Sequence, residues 1–357
     1  ALTDWLSWRW SLYVNVPIAA VGFVIGLRSL PAPGRRHEQS AWDLPGLALG
    51  CTACFAVVFG LDRAEQTSWT STSTLLWLGA AVVLAILFVV REHLAEAPAL
   101  PLWITSAPGR AASYAAVATF GAAQMGGAVY LTYYLQNHFG YSPLRTGVAF
   151  LPMIGALVVT APLAGQRLLH RLGTRGTLPL GIAIEAAAFV LLSRIGPDSS
   201  YAGAVVPGIM VLGVGIGFVM PVTFNSGTRG APVSHIGLAS AVITVSQQIG
   251  ASLSVALLAT YASRHVSTYV EDHAEQTRAQ AMSALSQAQA TPDPDAGQAI
   301  VARLTAELAD RAQISAYSGG FLLMACILIA VGALLGALTA PAALRRARTA
   351  LQARRRG

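Results

Sequence analysis

Hydrophobic residues fall in nine long blocks along this chain, and the polar segments between them carry most of its charge. The blocks are roughly Trp10–Leu30, Leu44–Leu61, Thr74–Val90, Ala111–Asn137, Thr146–Gly165, Leu178–Ile195, Tyr201–Phe224, Gly237–Tyr261 and Ile314–Thr339. A helix crosses the hydrocarbon of a bilayer with about 20 mostly apolar residues, each rising about 1.5 Å. Each block therefore predicts one transmembrane helix. The expected fold is all-α, a polytopic membrane helix bundle of about nine spans.

An odd number of crossings puts the two chain ends on opposite faces. With the Arg-rich end Arg345–Arg356 in the cytoplasm, Arg28, Arg35, Arg36, Arg91, Arg110, Arg167, Arg171, Arg175 and Arg229 are cytoplasmic too, giving 15 arginines inside. Only Arg9, Arg63, Arg145 and Arg194 fall on short outer segments, and four more sit in one long outer loop. Long loops count little in the positive-inside rule, so this asymmetry sets the orientation. The expectation is a multi-pass protein of the inner or plasma membrane with its C-terminus in the cytoplasm.

Composition agrees. Hydrophobic residues make up 54% of the 357 and charged residues 11%, with a mean hydropathy of +0.57, values that exclude an ordinary soluble domain. The net charge of +7 would suggest nucleic acid in a soluble chain. Here the cations flank membrane segments, so no nucleic-acid partner is expected. Every basic residue is Arg, a bias that together with abundant Ala and Gly points to a GC-rich bacterial genome. Cys51 and Cys54 form a C-x-x-C, yet both lie within an apolar span where a thiolate is disfavoured, so they read as packing residues. The chain begins at Ala1 without a signal peptide, as a piece of a longer protein would.

Between spans, Pro31–Asp43 and Arg91–Arg110 are charged, Pro-containing linkers. The long outer loop, 262–313, reads as two Ala- and Gln-rich amphipathic helices broken by Thr291-Pro292-Asp293-Pro294-Asp295.

The most specific stretch is Tyr134-Leu135-Gln136-Asn137-His138-Phe139-Gly140-Tyr141-Ser142-Pro143-Leu144-Arg145-Thr146-Gly147, continuing through Leu151-Pro152, Pro162-Leu163-Ala164-Gly165 and Arg171-Leu172-Gly173-Thr174-Arg175. It encodes a helix end, an outer turn, a Pro-kinked span and a basic inner hairpin. That order resembles the fourteen-span drug:proton antiporters of the major facilitator superfamily. Trp8-Arg9-Trp10 with Tyr13-Val14-Asn15-Val16-Pro17 resembles the family's sixth span. Asp43-Leu44-Pro45-Gly46 resembles the start of its seventh, and Gln247-Gln248-Ile249-Gly250-Ala251-Ser252 resembles its thirteenth. The resemblance implies that five spans of the parent are missing. On it, residues 1–30 hold the last helix of the N-terminal bundle, 31–110 a linker with two transmembrane helices, 111–340 a six-helix C-terminal bundle and 341–357 a basic cytoplasmic tail. It further implies proton-coupled efflux of drugs or other amphipathic small molecules by alternating access, with protons and the missing N-terminal half as partners. One departure stands out: His170 occupies the position where the family's inner hairpin carries an acid.

Five groups of residues are candidates for the site. Glu185 is the one acid deep in a span, about 12 Å from its inner end. Intramembrane acids are costly, which favours a proton relay, although the resemblance puts this helix in a scaffolding position. Gln247 lies on a small, polar helix face with Ser240, Thr244, Ala251 and Ser254, a face that either lines an aqueous cavity or forms a small-residue seam. Gln124 is similarly deep and shares a face with Tyr134, and the aromatic cluster Tyr130, Tyr133 and Tyr134 is either an interfacial belt or a stacking surface for flat or cationic compounds. Substrate contact is accordingly expected at Gln124, Tyr134 and Gln247. Gly147, Pro152, Pro162, Gly165, Arg171, Gly173 and Arg175 are the motif residues expected to shape bends and conformational change. Gly213-x-Gly215-x-Gly217 sits within a span with no strand before it, so it reads as tight helix packing and not as a dinucleotide loop. No metal-ligand spacing, nucleophile elbow or phosphate loop is present, so neither an enzyme nor a bound cofactor is expected. The competing reading is a truncated or regulatory membrane fragment that does not transport.

Overall fold

The computed structural model describes residues 8–29, 43–106, 108–229, 231–232, 235–288 and 296–354, and every regular element among them is helical. Twelve α-helices are numbered here in chain order: α1 Trp8–Tyr13, α2 Asn15–Ser29, α3 Leu44–Gln66, α4 Thr72–Leu94, α5 Trp103–Ser106, α6 Pro108–Tyr133, α7 Pro143–Ala149, α8 Leu151–Pro162, α9 Leu169–Leu192, α10 Val206–Thr228, α11 Ile236–Ala288 and α12 Ala296–Arg354. Three π-helical turns, Tyr134–His138, Leu163–Leu168 and Tyr201–Val205, join them. The fold is a polytopic membrane helix bundle, as the hydrophobic blocks predict.

Local chemistry explains the boundaries. Asp43 caps α3, its side chain accepting the Gly46 N–H at 3.1 Å, and Pro45 occupies the first turn where its missing N–H costs nothing. Ser71 caps α4 through the Thr74 N–H at 3.2 Å. Pro17 cannot donate to the turn before it, and the first hydrophobic block accordingly splits at Val14 into α1 and α2. Ser142 and Pro143 start α7 after Gly140, whose φ of 62° is open to glycine at little cost.

Among the described residues, six stretches are long and apolar enough to cross a membrane, namely Leu44–Gln66, Thr72–Leu94, Pro143–Gly165, Tyr201–Thr228, Ile236–Ser286 and Gln298–Ala337. Asn15–Ser29 and Gly176–Leu192 are apolar but shorter. Helix α6 is not among them because Ala, Gly and Gln dilute its apolar residues, in keeping with its place inside the bundle.

Helices α6, α8, α9, α10, α11 and α12 pack around a common core in which Phe120, Tyr130, Tyr134, Phe189, Leu212 and Phe321 are fully or almost fully buried. Glycines let these helices approach closely. A Cβ at Gly213 would meet the Met153 carbonyl oxygen at 2.2 Å, and one at Gly217 the Thr160 Oγ1 at 2.1 Å, so the Gly213-x-Gly215-x-Gly217 repeat is a packing motif between α10 and its neighbours. Helices α3 and α4 form a separate antiparallel pair, with Gly60 against Leu78 and Gly50 against Phe88. This pair leans on α11, and Trp69 Nε1 donates to Thr260 Oγ1 at 2.7 Å. Helix α2 buries none of its side chains within this chain, so its apolar surface must meet lipid or another protein surface.

The described residues of the expected loop 262–313 are helical on both sides of 291–295, as the sequence predicts, and they continue α11 and α12 directly. Between Gly250 and Pro292 the sequence contains neither Gly nor Pro, and Ala, Gln, Glu and Arg favour helix, so nothing stops α11 at the membrane surface. Residues 262–288 thus extend the helix by about 40 Å. The break at 291–295 and the linker 31–42 lie outside the described residues. Helix α12 likewise runs past the expected end of its span to Arg354; Arg355 and Arg356 lie outside the described residues.

Candidate functional site: a polar pair at the middle of α6 and α11

The seam between α6 and α11 rests on glycine. A Cβ on Gly250 would lie 1.9 Å from the Ala118 carbonyl oxygen, and one on Gly121 would lie 2.2 Å from that of Gln247. Only glycine permits this backbone approach. Further along the seam, Gly126 receives Leu258 and Ser254, and the Ser254 hydroxyl is buried and bonds back to Ala251 at 2.8 Å.

Beside this contact, near the middle of α6 and about three turns into α11, Gln247 Nε2 donates to Gln124 Oε1 at 3.2 Å. Gln124 is exposed and Gln247 is half-buried, and Thr244, one turn before Gln247, is also exposed. The polar face of α11 therefore divides: its Ser254 end is a seam, and its Thr244–Gln247 part stays open. Amide groups at this depth cannot face hydrocarbon cheaply. The open part of the face belongs against water or against polar groups of another bundle.

The other expected site residues lie elsewhere. Tyr134 is fully buried, its hydroxyl donates to the Gly196 carbonyl at 3.2 Å, and its ring stacks on His138 at 5.2 Å. It anchors the Gly140 end of the bundle and does not share an open surface with Gln124, because ten residues at 100° each put it about 80° around the helix from that residue, on the side packed into the core. Tyr130 is buried too, donating to the Leu258 carbonyl at 2.5 Å and packing edge-on to Tyr317 at 5.3 Å. Glu185 is fully buried in α9, where its side chain lies on Gly215 of α10, and neither of its oxygens meets a hydrogen-bond donor among the described residues. It is thus an interior group and not part of the open glutamine face.

The motif residues shape the chain reversals. Gly147 has open space where a Cβ would point, Pro152 lies in the first turn of α8, and Pro162 ends α8 at a π-turn. Gly165 lies across from Pro221 of α10 at 3.7 Å from a notional Cβ. Gly173 adopts φ 65° inside α9 and redirects the helix there, while Arg171 is exposed beside it. The Arg175 side chain lies outside the described residues. Thr223 is buried and donates to the Val219 carbonyl of its own helix at 2.8 Å.

Sequence reasoning missed Tyr317 and the pair Gly319-Gly320. These glycines leave room for the Tyr261 hydroxyl and the Tyr130 ring, which would lie 2.0 and 2.2 Å from added Cβ atoms. Two adjacent glycines in an apolar helix were the available signal. Among the described residues, no three His, Cys, Asp or Glu side chains cluster as metal ligands would.

Comparison with known proteins gives the site its context. Residues 1–255 match the family described as the Major Facilitator Superfamily. The chain is 36% identical over 275 residues to a puromycin resistance protein of Streptomyces alboniger, an alignment covering 76% of the chain and 54% of that protein. It is 31% identical over 257 residues to a tetracenomycin C resistance and export protein of Streptomyces glaucescens, covering 72% and 47%. It is 28% identical over 260 residues to a cephamycin export protein of Amycolatopsis lactamdurans, covering 72% and 54%. The chain spans about half the length of the curated relatives it matches.

Proposed function

The chain belongs to the major facilitator superfamily, and on that premise we propose that it is the C-terminal part of a proton-coupled exporter of drug-like amphipathic molecules. The observation that carries this reading is the Gln124–Gln247 pair, polar and open at mid-span on a seam of α6 and α11. Such a face is costly in lipid and useful in a central cavity, where amides orient a substrate held mainly by apolar contacts. The names of the relatives, which include resistance to puromycin and export of tetracenomycin C, support the same class of cargo.

In this reading the bare apolar surface of α2 and the open glutamine face meet an N-terminal half of the same transporter, and alternating access is the rocking of the two halves. The exporter is of the fourteen-span drug:proton type, with α3 and α4 as its linker pair. It lies in a bacterial plasma membrane with the Gly173 end and the C-terminus cytoplasmic, the side favoured by the arginine asymmetry. Glu185 is the candidate proton relay. It acts by taking and releasing a proton as the α9–α10 contact shifts, and does not touch cargo.

The test is dye efflux from cells carrying the whole transporter with Gln124→Ala, Gln247→Ala or both. Either change should reduce export of at least one cationic dye about tenfold at equal membrane abundance. Unchanged export of every dye would remove the pair from the substrate path. A non-transporting membrane fragment is the second reading. It predicts no proton-driven uptake in vesicles even when an N-terminal half is supplied.

A further inference from the structure

A cavity of about 540 Å³ opens between α3, α6, α11 and α12 near the Gly140 end. It is separate from the glutamine pair. Its α6 residues, Gly126, Val129, Tyr130 and Tyr133, lie about 140–240° around the helix from Gln124 at 100° per residue. The size falls within the roughly 300–1,000 Å³ typical of small-molecule sites.

Its walls have a definite chemistry. Three tyrosines line it, Tyr130, Tyr133 and Tyr317. The Tyr130 hydroxyl is already committed to the Leu258 carbonyl, so this residue offers the cavity a ring and not a donor. The one charged residue in the lining is Glu65, near the end of α3. Glu65 is exposed and forms no hydrogen bond or ion pair among the described residues, while the cation two residues before it, Arg63, sits over the Phe59 ring at 4.9 Å. Below, Gly126 and Val129 lie within the helical span; above, Ser267 and Gln313 belong to the extensions past it. The cavity therefore bridges apolar and wet surroundings, the depth at which aromatic rings and amphipathic molecules settle.

We propose that this cavity is a peripheral binding site for amphipathic monocations with a flat apolar body, recognised by the tyrosine rings and the unpaired Glu65 carboxylate. Aromatic faces attract a cation through their quadrupole, and an unpaired carboxylate supplies the counter-charge. A lipid phosphate would meet repulsion from Glu65, which argues against an anionic headgroup as the occupant. For its role, a staging point for cargo beside the linker pair, the site rests on the export reading. For its binding it does not, since it shares no residue with the glutamine pair.

The experiment uses the 357-residue chain in phosphatidylcholine nanodiscs with ethidium as the cationic probe and N-phenyl-1-naphthylamine as a neutral one. Ethidium should bind more tightly than the neutral dye, and Glu65→Gln, a surface change that leaves folding intact, should weaken ethidium about tenfold while leaving the neutral dye unchanged. Val266→Trp, or Ala259→Phe as a second blocking change, should remove binding of both dyes. Photolabelling with ethidium monoazide should mark peptides of α3 and α11 on the cavity side. Gln124→Ala with Gln247→Ala should leave this binding intact even if it abolishes export, so failure of either idea is seen separately. The proposal is overturned if Glu65→Gln leaves ethidium affinity unchanged, if the neutral dye binds as tightly as ethidium, or if the label and the loss of binding track the glutamine pair instead.

Discussion

Replacing Gly250 with Ala adds one methyl group where, among the described glycines, a Cβ would meet its neighbour most closely. The new Cβ would lie 1.9 Å from the Ala118 carbonyl oxygen and 2.6 Å from its carbon. A relaxed carbon–oxygen contact needs about 3.3 Å, so α6 and α11 must separate by roughly 1.4 Å there. Both atoms belong to the backbone, and no side-chain rotation can relieve the contact. Overpacking of this kind costs roughly 1–3 kcal/mol. A second effect follows from the same movement: the Gln247–Gln124 hydrogen bond, 3.2 Å long and one turn away, is stretched beyond bonding distance. Hydrogen bonds between membrane helices average about 0.6 kcal/mol, so the packing loss dominates. The assay is equilibrium unfolding of the chain in bicelles. Gly250→Ala should be destabilised by the packing cost, and adding Gln247→Ala to it should cost little more, because the bond is already lost. Gly147→Ala is the control, since its Cβ would meet nothing within 4 Å and should leave stability unchanged or slightly raised. A Gly250→Ala chain as stable as the parent, with the glutamine coupling retained, would refute the reasoning.

Further outcomes follow from the other buried and charged groups. Glu185→Leu should raise stability by about 1–3 kcal/mol, because the carboxyl has no hydrogen-bond donor in its site; a clear loss in the same unfolding assay would reveal a partner that the reasoning lacks. Glu185→Gln in the whole transporter should keep the fold while stopping proton-driven export, and normal export in proton-loaded vesicles would exclude the relay role. At the start of α3, the Asp43 carboxyl is held below its ordinary value of 3.8, first by the hydrogen bonds from Arg91 and then by the Gly46 N–H. Its contribution to the α3–α4 pair is therefore fully present above about pH 4 and fades as the pH falls below that value. Protection of the Gly46 and Leu47 amides, corrected for intrinsic exchange, should fall below pH 4 in the parent, whereas Asp43→Ala, which removes both the cap and the partner of Arg91, should give low protection at every pH.

The hydrophobic pattern by itself determined the all-helical membrane fold, because the bilayer forces each apolar block of about 20 residues into a helix whose backbone satisfies itself; of the nine blocks it marked, six lie on described helices long and apolar enough to cross. It also found Gln124 and Gln247 separately, as deep amides on apolar helices. Their pairing across the α6–α11 seam was decided by tertiary structure, since it depends on a backbone approach that Gly121 and Gly250 permit and that no periodicity within one helix encodes. The same holds for Tyr134. Its approximate register suggested a shared face with Gln124, but it lies about 80° around the helix from that residue, and which neighbouring helices cover that side is not written in the hydropathy of one helix. The Glu65 cavity, likewise, draws its walls from four helices far apart in the chain, so only their packing could bring an unpaired acid and three tyrosines to one surface.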